Sequence, residues 1–296
     1  MIMQRIKSLG MGITAGLAFG TAAIFIRLLP SIDSNTIAFA RLFIGFLGLL
    51  AIISFKKEFR TFVRFFFKYN WKRIVMGILL GFHFIFFVAS VQHTTVLHAT
   101  IFVNTTPIQA LVISIIALKI KPTLREVTSV ILGFAGVLVI ALAEFSTSSG
   151  NLVGDIESLI SATLIAIYLN IGADLRKKID TRVLMTSNFL LASFAVFFFA
   201  LPVQGGIFIP LEYNVILILL ALGLIPTAIG HTLYVASVKA LKPYEIATIT
   251  LLEAVSATIL AAILFGEIPG PFSIVGAIFI AVAIFLLFSS TATTGE

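Results

Sequence analysis

The sequence predicts an all-α integral membrane protein of ten transmembrane helices, built as two inverted five-helix repeats. The first observation behind this is composition. Of the residues 59% are hydrophobic and only 11% charged, with a mean hydropathy of +1.14, against roughly 25% charged in a soluble domain. The apolar residues fall in runs of about 20 rather than in alternating ten-residue segments. In lipid a helix satisfies every backbone group within its own segment, so these runs predict a helical bundle and not a β-barrel. The second observation is charge placement, and the third is internal similarity.

Taken in order, the runs fall near 9–29, 35–55, 74–91, 95–118, 127–143, 153–172, 183–203, 213–237, 243–265 and 271–289. The first follows the short basic stretch MIMQRIKSLG and is too long for the roughly 7–15 apolar residues of a signal peptide, so it is read as a span. With the N-terminus placed in the cytoplasm, 18 of the 20 Lys and Arg fall on that side, and only Arg27 and Arg41 lie toward the other. The positive-inside rule then predicts ten spans with both termini cytoplasmic. The loop from Lys56 to Arg73, basic, interleaved with Phe and carrying Trp71, reads as an amphipathic segment on the cytoplasmic headgroups.

The halves repeat. Phe87-Val88-Ala89-Ser90-Val91 of the third span returns as Tyr234-Val235-Ala236-Ser237-Val238 of the eighth, at an offset of 147, and Ala99-Thr100-Ile101 returns as Ala247-Thr248-Ile249 at 148. Five spans per half is an odd number, so the second half enters the membrane in the opposite sense. Inverted repeats of this kind point to alternating access around a site at the repeat interface. The expected domains are 1–145 for spans one to five and 146–296 for spans six to ten.

Several chemistries are set aside. The net charge of +7 and pI near 9.8 come from loops between apolar runs, so nucleic-acid binding is not expected. There is no cysteine, which removes disulfides and thiolate chemistry. The four histidines are too scattered for a metal motif, and the Gly-x4-Gly-Lys-[Ser/Thr] phosphate loop is missing. No metal and no cofactor are expected.

The candidate pathway starts at Glu253, near the middle of the ninth span, with Thr250 and Ser256 a turn away on either side. An acid at a helix centre costs about 2.5–3.5 kcal/mol by insertion scales, so such groups usually face a cavity, a partner or a proton path. The plain alternative is a protonated glutamate bonded to a neighbouring helix. The fourth span is polar at the same depth, with Asn104, Thr105, Thr106, Pro107 and Gln109. Proline removes a backbone donor and kinks the helix, freeing the carbonyl near position 103. Helix-to-helix hydrogen bonding, at about 0.6 kcal/mol each, is the alternative there. His83 and His231 hold matching places before the repeated Val-Ala-Ser-Val and are read as proton relay, substrate contact or neutral packing. Tyr168 and Tyr234 present a phenol to a cavity or anchor at an interface. Arg41 is expected to snorkel to the outer headgroups, or to form an outer gate with Asp155 or Glu157. Glu267 is expected to be solvated at the outer face, and the 29 Phe to be lipid-facing and packing surface.

These residues, in this order, resemble the EamA branch of the drug/metabolite transporter superfamily over essentially the whole chain. In the first copy the resemblance rests on Gly16-Leu17-Ala18-Phe19-Gly20-Thr21, Phe39-Ala40-Arg41-Leu42, and Thr106-Pro107 with Gly133 and Gly136. In the second it rests on Gly154-Asp155, Leu252-Glu253-Ala254, and Phe265-Gly266-Glu267 with Gly276. The sequence departs from the pattern at Phe19, where the family commonly has Trp, at Ala254, where it often has Pro, and in the sixth span, which has no Trp. The resemblance implies a secondary transporter of small metabolites, often an exporter of amino acids or related compounds. The alternative weighed against it is a membrane-embedded enzyme acting on a lipid. The expected partners are a small-molecule metabolite, protons and membrane lipids, for a monomer in a prokaryotic cytoplasmic membrane.

Overall fold

A computed structural model describes residues 2–68, 70–142, 151–176, 178–266 and 269–289. Glu267 and the expected boundary at 145/146 lie outside the described residues. Among the described residues, ten helical stretches are long and apolar enough to cross a membrane. They comprise α1 (Ile2–Arg27), α2 (Ser34–Phe55), α4 (Trp71–His93), the pair α5 (Val96–Val103) and α6 (Thr106–Leu118), α7 (Leu124–Leu142), α8 (Leu152–Leu175), α9 (Thr181–Gln204), a composite eighth span, the pair α12 (Pro243–Ile249) and α13 (Leu252–Phe265), and α14 (Pro271–Ser289). The remaining helix, α3 (Phe59–Phe67), lies in the basic loop. It is amphipathic as expected, but Phe62 is buried against Phe46, so one face docks on the bundle rather than resting wholly among headgroups.

Span starts are marked by short polar side chains that satisfy free helix N–H groups. Asp33 caps α2 at Thr36 N (2.8 Å), Asn70 caps α4 at Arg73 N, Asn151 caps α8 at Val153 N and Asp180 caps α9 at Arg182 N. The outward faces of α6, α7, α13 and α14 leave Ile116, Ile131, Ile263 and Phe285 exposed, the apolar belt that lipid would cover.

The two halves interlock rather than sit side by side. α1 packs on α13, α2 on α9, α4 on α8 and α9, α6 on α12, and α7 on α14, each pair crossing from one half to the other. The α7–α14 seam is the tightest. A Cβ on Gly136 would lie 2.7 Å from Gly276 O, and one on Gly276 would strike Gly136 O, so the two backbones meet with no side chain between them. In the absence of a hydrophobic drive between helices in lipid, such close approach is a main source of association.

Three spans are irregular midway along their length. The fourth breaks at Asn104-Thr105 and the ninth at Thr250-Leu251. The eighth runs as α10 (Tyr213–Leu222), a π-helical segment Gly223–His231 that contains Pro226, and α11 (Thr232–Ser237). π segments are rare and frequently sit at functional sites. All three irregularities border one internal cavity.

Candidate functional site

The cavity measures about 60 Å³, room for a handful of waters at roughly 10–15 Å³ each. Both halves line it: Phe19 and Arg41 from α1 and α2, His83, Phe84 and Phe87 from α4, Asn104, Thr106 and Pro107 from the first break, and His231, Tyr234, Thr250 and Glu253 from the second half.

Each irregular backbone presents a group to this space. At the first break three side chains bond carbonyls three or four residues back, and one of these, Val103 O, has Pro107 where its helical donor would be. Asn104 Nδ2 donates to Thr100 O (2.8 Å), Thr105 Oγ1 to Phe102 O (2.7 Å) and Thr106 Oγ1 to Val103 O (2.6 Å). At the second, Thr250 Oγ1 donates to Ala247 O (2.9 Å), and the Tyr234 hydroxyl lies beside it. Glu253 follows one turn later, its backbone N–H bonded to Thr250 O (2.9 Å). In the π segment, Thr227 Oγ1 donates to Leu222 O five residues back (2.8 Å) and accepts from Arg41 Nε (3.0 Å).

Arg41 is the residue whose place differs most from the sequence reading. It is only 1% exposed. Its guanidinium lies 4.0 Å from the centre of the Phe84 ring, a cation–π contact worth about 2 kcal/mol when desolvated. Arg41 Nη1 is buried with no hydrogen-bond partner among the described residues. It neither snorkels nor meets the acids proposed as its gate partners. Asp155 instead accepts from Thr94 Oγ1 (3.0 Å) and faces His98 Nδ1 (3.2 Å), and Glu157 faces His93 Nδ1 (2.9 Å). The snorkelling view failed because α2 turns Arg41 toward the bundle interior, where Thr227 and the Phe84 face replace water. Glu253 shares the cavity with Arg41, the two charges attracting across it without a direct ion pair.

His83 and His231 do come together, ring centres 6.1 Å apart. His83 Nδ1 lies 3.0 Å from Ser161 O. Ser161 Oγ lies closer, at 2.8 Å; the carbonyl only accepts while a hydroxyl donates or accepts, so Nδ1 either carries a proton toward the carbonyl or takes one from the hydroxyl. His231 is enclosed by Phe19 (4.6 Å) and Phe84 (4.9 Å), and its Nδ1 has no partner among the described residues.

Asn104, Pro107, His83, His231, Tyr234, Thr250 and Glu253 are thus brought to one space, while Thr105, Gln109 and Tyr168 are not. Gln109 Nε2 donates back to Thr105 Oγ1 (2.9 Å), an i,i+4 pair on the helix itself. Tyr168 is fully buried between α8 and α9, its hydroxyl on Met185 Sδ (3.3 Å). The sequence reading missed Thr227 and treated every Phe as packing or lipid surface, whereas Phe19, Phe84 and Phe87 wall the cavity. Pro226 inside an apolar run was the available signal for the first, and Phe19 at a position where Trp is common was the signal for the second.

Comparison with known proteins agrees with this architecture. The model of the EamA-like transporter family matches residues 6–142 and again 152–289. An uncharacterized transporter of Bacillus subtilis (strain 168), YxxF, is 25% identical over 207 residues, 70% of this chain. The match spans 66% of that relative, just under two thirds of its length. A solved structure, described only as "Crystal structure of protein", superposes with a TM-score of 0.80 at 15% identity, covering 98% of this chain and 99% of the other. That likeness is one of fold alone.

Proposed function

Because the chain belongs to the EamA-like transporter family, we propose that it is a secondary active transporter that exports or exchanges a small polar or amphipathic metabolite, such as an amino acid, by alternating access. One observation carries this reading. A buried arginine with a free donor and a glutamate from the other half face a single cavity bounded by three broken helices. Charges held away from water are costly unless paired and hydrogen-bonded, and broken helices at the repeat interface are where such folds bind cargo. A zwitterion supplies both missing partners. Its carboxylate meets Arg41 Nη1, its ammonium or a transported proton meets Glu253, and its apolar part lies against Phe19, Phe84 and Phe87.

A cavity of about 60 Å³ is small for such a molecule, so loading requires the interlocked halves to part toward one face. The face that carries 18 of 20 basic residues is the cytoplasmic one on the positive-inside rule, in a prokaryotic cytoplasmic membrane, a reading supported by the relative's being a bacterial transporter. Both halves of one chain line the cavity, which supports reading a single chain as the transport unit.

The test is counterflow. Proteoliposomes preloaded with a mixture of neutral amino acids take up each labelled amino acid transiently if the protein exchanges it. Uptake by the wild-type protein that is lost in both Arg41→Gln and Glu253→Gln is the expected result. Saturable uptake that survives in both variants would remove these residues from the site.

A further inference from the structure

Two side-chain pairs stand at equivalent places in the two repeats, one toward each end of the bundle. Arg5 is the fourth residue of α1, and Asp155 is the fourth residue of α8, the first span of the other half. Glu245 is the third residue of α12, and His98 is the third residue of α5, its counterpart in the broken fourth span. His98 and Glu245 are separated by 147 residues, the offset that relates the repeated Val-Ala-Ser-Val segments. In each pair the first span of one half is tied to the start of the broken span of the other half. Arg5 Nη2 meets Glu245 Oε1 at 2.5 Å, and His98 Nδ1 meets both Asp155 oxygens at 3.2 Å. The symmetry is reversed in charge, with the cation on the first span at one end and on the broken helix at the other.

The two pairs also differ in chemistry. Arg5–Glu245 lies on the basic face and is permanent: arginine stays charged at any working pH, the Glu245 side chain is fully buried, and Arg5 also bonds Ala240 O and Leu287 O. Beside it Lys242 Nζ meets Glu126 Oε1 at 2.5 Å and the Tyr244 hydroxyl donates to Glu126 Oε2 (3.0 Å), so α1, α7, α12 and α14 are fastened together. The opposite face depends on a histidine, the side chain that changes charge between about pH 5 and 8. Among the described residues of the elements packed on α5, Asp155 of α8 is the charged group facing His98. Glu157 of α8 is engaged by His93 of α4, and α7 beyond Glu126 carries no titratable side chain through Leu142.

We propose that these pairs are the two latches of the transport cycle, with Arg5–Glu245 holding the basic face shut and His98–Asp155 holding the opposite face shut in a pH-dependent way. The proposal rests on the alternating-access reading. Protonated His98 forms an ion pair with Asp155 and keeps the outer latch closed. With the ring neutral a hydrogen bond remains in place of the ion pair, and the outer face opens more often. The residues act by position, not by touching cargo.

The chain has no cysteine, so the test needs no substrate and no background removal. Ala22→Cys places a single thiol on the cavity wall. Its labelling by a membrane-impermeant thiol reagent, added from one face of sealed oriented vesicles, reports opening to that face. Each outer-face rate is divided by that of a cysteine at exposed Phe208, and each basic-face rate by that of a cysteine at exposed Lys178, since thiolate content itself varies with pH. From the outer face, normalised labelling should rise about fivefold between pH 5.5 and 8.5, the scale of a partly exposed ion pair. His98→Gln and Asp155→Asn should label fast at both pH values, His98→Arg slowly at both, and the exchanged pair His98→Asp with Asp155→His should restore the rise. Arg5→Gln should raise labelling from the basic face at every pH. A rise that persists in His98→Gln, or none in a wild-type latch that His98→Arg still slows, overturns the pH-dependent latch. Equal labelling from both faces in every variant, unaffected by either latch, overturns alternating access itself.

Discussion

The fourth span of each half breaks midway, yet the two breaks are made differently. The first has a proline just after it, at the start of α6, and three consecutive polar side chains that bond carbonyls about one turn back. The second has no proline beside it. Both tighten into three-residue hydrogen bonds, Thr105 N to Phe102 O (3.2 Å) and Ile108 N to Thr105 O (3.0 Å) at the first, and Leu251 N to Thr248 O (3.2 Å), Glu253 N to Thr250 O (2.9 Å) and Ala254 N to Leu251 O (3.1 Å) at the second. The backbone of α1 leans against it through Gly16, whose absent side chain admits Thr250 Cα and Leu252 Cβ to 3.1 Å. One break is therefore written locally and the other is imposed by packing. The chemistry they present differs in the same way, since the first offers only neutral groups and the second offers an acid.

That contrast is sharpened most by replacing the acid and its neutral counterpart. Glu253→Gln is expected to lower exchange rates about 100-fold, close to 2.7 kcal/mol of barrier, while Thr106→Val at the first break costs only a few-fold; both are read as initial rates of counterflow in proteoliposomes. Next comes the imposed break. Gly16→Leu should destabilise the protein by about 1–3 kcal/mol, as overpacking does, seen as a lowered unfolding midpoint in detergent. The π segment of the eighth span is a third kind of irregularity, and Thr227→Val removes the hydroxyl that Arg41 Nε uses. A hydrogen bond to a charged group is worth about 1.5–3 kcal/mol, so substrate affinity should fall by roughly tenfold or more, measured by ligand-induced thermal stabilisation. The smallest effect is expected where local sequence looks most telling. Pro107→Ala should shift stability by less than about 1 kcal/mol, because proline at the first turn of a helix removes only an N–H that has no helical partner. A large loss of stability there would mean that proline makes the first break by itself and that the capping side chains do not.

Spans and repeats were legible because each depends on sums over many residues. The ten runs and the matched segments around Val88 and Val235 survive any single misplacement. The fourth-span break was legible from Pro107 and its polar neighbours. The ninth-span break was not, since PYEIATITLLEAVSATILAAILF reads as one helix, yet it is interrupted at Thr250-Leu251, where α1 approaches. Arg41 was misread for a related reason. Six or seven residues from a span end is within snorkelling reach, and sequence distance says nothing about which way α2 faces. Asp155 and Glu157 were rightly noticed as acids at the start of the sixth span, but their partners, His98 and His93, sit across a helix interface that only the folded chain reveals. Among so many phenylalanines, the three that wall the cavity had no distinguishing neighbour in sequence except Phe19.

The glycine seam between α7 and α14 bears on how the two halves can change over time. A methyl group on Gly136 meets the backbone of Gly276, and one on Gly276 meets the backbone of Gly136. The nearest atom is backbone in each case, with Ile280 Cγ1 (2.9 Å) and Ile140 Cγ1 (2.6 Å) also in the way, so trimming a facing side chain relieves only part of the clash. Most of a duplicated sequence is free to drift apart once each copy has its own role, as the Arg–Glu and His–Asp ends illustrate. At this seam the copies remain bound to one another's inheritance, and a mutational scan should find both positions intolerant of every larger residue, singly and together.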